Sequence, residues 1–260
     1  MSGEWFRRFV PDSQGASATG RALRLICFPH AGGGASAFLR LSREVTPGTE
    51  VLAVQYPGRQ DRRNEEPLAG IGLLADALAD EIRREVTGPY AFFGHSMGAI
   101  VAHEVALRLA EREDPGPERL FLSGRGAPST TPYAHDRLRT DADVLAMVRR
   151  LGGTADVVFD DPDVLAMVMP TLRADYRALD SYVWTPRPVL DVPFTVLVGD
   201  ADPVVPVAAV AGWKEFTTAR TDMEVFEGGH FYLDVRTKEV ARVVTSALGL
   251  DGKRNPAVAV

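Results

Sequence analysis

A single cysteine, Cys27, serves all 260 residues, so the chain cannot form an internal disulfide or a four-cysteine zinc site. Nowhere do 18 apolar residues run together, which excludes a membrane-spanning helix. The start, Met1 to Arg8 (MSGEWFRR), lacks the apolar stretch of a secretory signal. Basic residues do not outnumber acidic ones: the net charge is −6, and no Lys/Arg block stands clear of acids. Nucleic-acid binding through a basic face is therefore disfavoured. With neither span nor leader, the expectation is a soluble, cytoplasmic protein without membrane contact. Hydrophobic residues at 45% and charged residues at 25% match ordinary globular chains, and this length supports a sizeable core without staples.

Short apolar runs do recur: 23–29 (LRLICFP), 51–56 (VLAVQY), 90–94 (YAFFG), 120–124 (LFLSG), 194–199 (FTVLVG) and 223–226 (MEVF). They lack strict alternation, as strands covered on both faces do. Arg24 is the exception and suits an edge or a strand start. Between the runs lie helical patterns over 71–87, 97–112 and 236–248; Ile71, Leu74, Leu78, Ile82 and Val86 show the 3–4 spacing. Strand and helix in alternation predict a mostly parallel, doubly wound sheet. No internal repeat is evident, and the tail 251–260 is expected to be disordered.

About seventy residues separate the strands ending near Gly124 and beginning near Phe194. One helix is expected from Asp141, with Val144, Leu145, Val148 and Leu151 on one side. A second should start with Asp161 as N-cap and Pro162 at its first position, and Pro170 should kink it. The reading is a core of 1–124 and 191–250 with an inserted helical lid, 125–190.

Gly94-His95-Ser96-Met97-Gly98 stands directly between a strand run and a helix pattern. A serine on that tight turn is exposed, with a helix N-terminus aimed at it, and is the candidate nucleophile. It needs a base held by an acid, in the chain order Ser, acid, His. His95 adjoins the serine and points elsewhere, His30 precedes it, His103 lies within the next helix, and His135 has only a loop acid such as Asp114. His230, in Gly228-Gly229-His230-Phe231 before the last helix, remains. After the strand 194–199 come Asp200 and Asp202; Asp202 is favoured because it lies further into the loop, whereas Asp200 suits a local Asx turn. The Gly-rich segment His30 to Gly34 nominates the backbone N–H groups of Ala31 and Met97 as oxyanion donors. A phosphate loop is the poorer reading, since no Lys-Ser/Thr follows and G-x-G-x-x-G spacing fails.

The blocks FPHAGGGAS (28–36), QYPGRQDR (55–62), GHSMGA (94–99), GDADPVVP (199–206) and GGHFYL (228–233) together resemble a type II thioesterase, one of the free-standing editing enzymes of polyketide and nonribosomal-peptide assembly lines. The likeness spans roughly residues 23–235. It implies the α/β-hydrolase fold, Ser96, Asp202 and His230 as catalytic residues, and Ala31 and Met97 as the oxyanion hole. It further implies acyl groups on the phosphopantetheine arm of an acyl carrier protein as substrate, in antibiotic (polyketide) biosynthesis, with no metal and no other cofactor. Carrier domains of such systems are acidic, which draws attention to Arg59, Arg62 and Arg63 and to Arg125, Arg137 and Arg139. Yet 125–190 holds eight arginines against nine aspartates, so it is not basic as a whole. Met147, Met167 and Met169 suggest an adaptable acyl lining in the lid. A small-molecule carboxylesterase, an acyltransferase and a non-catalytic receptor on the same fold are the alternatives. Matched thioester and oxoester substrates, an acceptor dependence and a covalent serine probe would separate them.

Overall fold

The computed structural model describes residues 5–9, 23–45, 49–129, 133–152 and 161–250. The expected disordered tail, 251–260, lies outside them. Seven strands form one sheet: β1 (Phe6–Arg7), β2 (Leu23–Phe28), β3 (Thr49–Val54), β4 (Tyr90–His95), β5 (Leu120–Ser123), β6 (Phe194–Gly199) and β7 (Thr221–Phe226), in the spatial order β1-β3-β2-β4-β5-β6-β7. All neighbours are parallel except β1, which pairs antiparallel with β3 through Phe6–Val54 and Arg7–Ala53. A two-residue strand carries no periodicity, so the sequence pattern does not show it.

Both faces of the sheet are covered. In β2, Leu23, Leu25 and Cys27 join a core with Leu41 and Val45 of α1 (Leu39–Val45) and with Val240 and Val244 near the C-terminus. Ile26 and Phe28 turn to the other face, toward α2 (Ile71–Glu85) and α3 (Met97–Glu111). Alternation by two persists, but both sides are apolar, which is why the runs look continuous. Burying rings such as Phe92 and Phe93 contributes about 1.5–3 kcal/mol each. β7 departs from the expectation. As the last strand it leaves Met223, Glu224 and Val225 exposed, because the sheet has no further neighbour to bring a helix over them. Arg24 sits at the start of β2, in the sheet interior, and pairs with Glu50 at 2.8 Å.

Between β5 and β6 run α4 (Asp141–Leu151) and α5 (Pro162–Asp180). Thr140 and Asp143 form a reciprocal capping box on α4. Asp161 accepts the N–H groups of Asp163 and Val164 with Pro162 at the first position of α5, as expected, and the helix continues through Pro170. The last helix, α6, is Thr237–Ala247. The sheet reverses its winding between β2 and β4, so the loops that follow these two strands open onto one crevice, where ligands of such sheets bind.

Candidate active site

The turn after β4 is built around a left-handed residue. Ser96 has φ 55° and ψ −119°, a strained conformation for a non-glycine. Two glycines make it feasible: a Cβ on Gly94 would lie 2.3 Å from the Gly98 carbonyl oxygen, and one on Gly98 would lie 1.9 Å from that of Phe28. With no side chains there, α3 starts directly over β2 and its free N-terminus faces the serine hydroxyl.

His230 is carried by the loop after β7, and Asp202 by the loop after β6. Gly199 lets the two loops meet, since a Cβ there would stand 2.4 Å from the carbonyl oxygens of Gly228 and Gly229. The Ser96 hydroxyl lies 3.0 Å from His230 Nε2, and His230 Nδ1 lies 2.7 Å from Asp202 Oδ2. The carboxylate selects the tautomer with the proton on Nδ1, which leaves Nε2 to accept from Ser96. Asp202 Oδ1 accepts the N–H groups of Val204 and Val205, at 2.9 and 3.0 Å. Burial opposes charge on Asp202, but the hydrogen bond and charge of His230 and these two N–H groups outweigh it and hold its carboxyl below the usual range. The Asx-type turn is thus made by Asp202. Asp200, expected to bond locally, instead accepts the N–H of Gly228 at 2.9 Å across the two loops.

Ala31 borders the same cleft as Ser96 and His230, and Met97 follows the serine at the first position of α3. Among the described residues neither backbone N–H donates to a protein acceptor. Ser96, His230 and Asp202 thus form one hydrogen-bonded chain, and Ala31 lines the cleft onto which it opens.

The other histidines are accounted for. His95 bonds Ser123 Oγ at 2.9 Å, and Ser123 continues to the Tyr232 hydroxyl at 2.6 Å. Burial, then the proximity of His230 and His30, lowers the His95 pKa well below its usual value. His30, packed edge-on against Phe231, is lowered to about 3 by burial, His230 and Arg59. Both rings stay neutral beside His230. His103 is fully buried among Trp184, Phe194, Trp213 and Phe216. His135 lies nearer the site than its sequence neighbourhood suggests: with Arg125 and Asp136 it lines the side of the cleft next to Ser96.

The apolar wall comes from α4 and α5. Val148, Leu151, Val168, Leu172 and Tyr176 face the cleft. Of the three methionines, only Met147 borders it; Met169 is buried and Met167 is exposed. The arginines also differ from the expectation of a cationic mouth. Arg59, Arg62 and Arg125 are buried; Arg59 and Arg125 satisfy their planar donors on the buried carboxylates of Asp175 and Asp136, and Arg62 on the exposed carboxylate of Glu65. Arg63, Arg137 and Arg139 remain exposed. Asp175 went unnoticed in the sequence as one of nine aspartates between 125 and 190. No group of three or more His, Cys, Asp or Glu side chains able to hold a metal occurs among the described residues. Nor is any helix there long and apolar enough to cross a membrane.

A doubly wound sheet with a strained serine after its central strand, an acid after β6 and a histidine after β7 defines an α/β hydrolase. The thioesterase domain family matches residues 23–248. The thioesterase PikA5 of Streptomyces venezuelae is 42% identical over 250 residues, 95% of this chain and 86% of that protein. A probable cadicidin biosynthesis thioesterase of Streptomyces griseus is 42% identical over 247 residues, and the match spans 66% of its length, just under two thirds. The structure of the type II thioesterase BorB from the borrelidin biosynthetic cluster superposes with a TM-score of 0.82 at 40% identity, covering 94% of this chain and 97% of that one. The chain belongs to the thioesterase family, and the solved structures similar to it include the type II thioesterases BorB and YbtT, the latter from the yersiniabactin NRPS/PKS pathway.

Proposed function

We propose that this protein is a serine thioesterase that removes aberrant or stalled acyl groups from the phosphopantetheine arm of acyl carrier proteins, in the cytoplasm, during polyketide antibiotic synthesis. The observation that carries the reading is the hydrogen-bonded chain Ser96–His230–Asp202, at 3.0 and 2.7 Å, opening on an apolar cleft. Within the thioesterase family, we propose that it stands near the rifamycin-pathway enzyme, on the likeness of its sequence blocks.

In this mechanism Ser96 attacks the thioester carbonyl while His230 Nε2 takes its proton. The N–H groups of Ala31 and Met97 hold the oxyanion. A thiol, with a pKa of about 8.5, leaves readily, and His230 returns the proton to it. Water, deprotonated by the same imidazole, then releases the acid and frees Ser96. Asp202 orients the ring and stabilises the imidazolium in both halves. The segment 125–190 acts as a lid, with α4 and α5 enclosing the acyl chain.

The test compares kcat/KM for one acyl group carried on an acyl carrier protein, on coenzyme A and as the matched oxoester, at low and high salt. A carrier advantage is expected, and because Arg59, Arg62 and Arg125 are internally paired it should persist when surface charges are screened beyond about 8 Å. Equal values on carrier and coenzyme A would overturn carrier recognition, and oxoester preference would favour a carboxylesterase.

A further inference from the structure

The region that encloses the cleft is also tied to the loop that carries Ala31. Asp175, on α5, is fully buried, and both of its oxygens are committed. Oδ2 accepts the Gly32 N–H at 2.7 Å and Arg59 Nη1 at 2.8 Å, and Oδ1 accepts Arg59 Nη2 at 2.9 Å. Arg59 Nη1 also donates to the Gly33 carbonyl at 2.9 Å. One carboxylate thus joins α5 to segments 143 and 116 residues away in sequence.

Resting on the reading of Ala31 as an oxyanion donor, we infer that Asp175, with Arg59, is a positioning residue: it seats the Ala31–Gly32 peptide so that the oxyanion site is complete only when α5 is docked. The geometry supports this in three ways. The Gly33 N–H bonds the His30 carbonyl at 2.9 Å, and Gly32 has φ +75°, so residues 30–33 form a tight turn with a left-handed third residue. Glycine makes such a turn easy to form and equally easy to deform. The bond from the Gly32 N–H to Asp175 fixes the peptide on the far side of Ala31, while the turn bond fixes the near side.

The packing runs the same way. A Cβ on Gly32 would lie 2.5 Å from Leu172 Cδ2, so the turn sits directly beneath a side chain that also walls the acyl cleft. Thr171, one helical turn before Asp175, donates to the Gly58 carbonyl at 2.6 Å and fastens α5 at a second point.

Charge explains the need for a pair. A lone carboxylate beside the oxyanion loop would repel the developing negative charge and would be expensive to bury. The bidentate guanidinium neutralises it, and Oδ2, with a second lone pair, accepts the Gly32 N–H beside Arg59 Nη1.

The test measures kcat and KM on a small acyl thioester of N-acetylcysteamine, the rate of phosphonylation by a fluorophosphonate, and Tm. The proteins are wild type, D175N, R59Q, T171V and S96A. D175N should lower kcat and the phosphonylation rate together by 10- to 100-fold, below the 10²–10³ typical of deleting an oxyanion donor outright, with KM within threefold. R59Q, which leaves the carboxylate unpaired, should lose more. T171V removes only the second fastening of α5 and leaves the Asp175 bond to Gly32 in place, so its kcat loss should be several-fold smaller than that of D175N at a comparable fall in Tm. If D175N does not fold, D175E, which keeps the charge and displaces it by one methylene, is judged by the same measure. A kcat within twofold of wild type in the Asp175 variant, or an equal kcat loss in T171V, would overturn the inference alone. Residual turnover in S96A would overturn the serine mechanism and this inference with it.

Discussion

The Asp202 carboxylate meets His230 Nδ1 at 2.7 Å across 28 residues of sequence, and Asp200 meets the Gly228 N–H across the same interval at 2.9 Å. The loops after β6 and β7 therefore run side by side, with one aspartate holding the ring and the other holding the backbone beneath it. D202N should lower kcat by on the order of 10⁴, because an amide no longer enforces the required tautomer. D200A should cost about 1 kcal/mol of stability through the lost bond to Gly228 and leave kcat within tenfold. Steady-state kinetics and urea unfolding of the two variants check this, and reversed magnitudes would show that the acid is Asp200.

Ser96→Ala should abolish turnover, with a loss of about 10⁶ in kcat, as for the serine of a comparable hydrolase. The fold should survive, since the hydroxyl's bond is to His230. Activity at a tenth of wild type in a normally folded S96A protein would exclude the mechanism.

Gly98→Ala tests the construction of the turn rather than its chemistry. A methyl group 1.9 Å from the Phe28 carbonyl oxygen must push α3 away from β2. A loss of about 3 kcal/mol or more is expected, at the upper end of overpacking effects. An unchanged Tm would mean that the helix and strand are not in the close contact described.

Acid sensitivity should come in part from His103. Burial, offset partly by Glu104 and reinforced by Arg187, lowers its pKa to about 3. Neither ring nitrogen has a hydrogen-bond partner among the described residues. Between about 3 and 6.5 the unfolded chain binds this proton and the folded one does not, so this contribution to stability is complete above 6.5 and falls as pH drops through that window. The slope for one such group approaches about 1.4 kcal/mol per pH unit. Urea unfolding at pH 7, 6 and 5 should show a shallower decline for H103F than for wild type. Parallel curves would argue against a buried neutral imidazole.

The helices over the cleft should be less protected than the sheet. α4 fully buries only Val144, whereas every residue of β4 is buried. Amides of Asp141–Leu151 should exchange roughly 100-fold faster than those of Tyr90–His95, as expected for a segment with few buried apolar contacts. Equal protection would count against a movable lid.

Much of this protein is written in local pattern. The six longer strands, the paired glycines around Ser96 and the helix caps at Thr140 and Asp161 depend on neighbours within a few residues. The order Ser96, Asp202, His230 could be read because each residue follows a recognisable strand, and parallel strands in a wound sheet present their C-terminal ends on one edge. Composition had already excluded disulfides and spanning helices.

Tertiary structure decided the pairings that bridge distant segments. Arg59, Arg62 and Arg125 drew attention as cations facing an acidic partner, yet all three are buried and paired, Arg62 and Arg125 with carboxylates three and eleven residues on, and Arg59 with Asp175 across 116 residues. Asp175 was indistinguishable from eight other aspartates until α5 brought it beneath Gly32. Met147 and Met169 read alike in the sequence, but one borders the cleft and the other is buried in the core, because helix docking sets which side is covered. Periodicity reports whether a residue is turned inward. For Arg59 the charge it meets depends on chain closure over 116 residues, and no local signal encodes that.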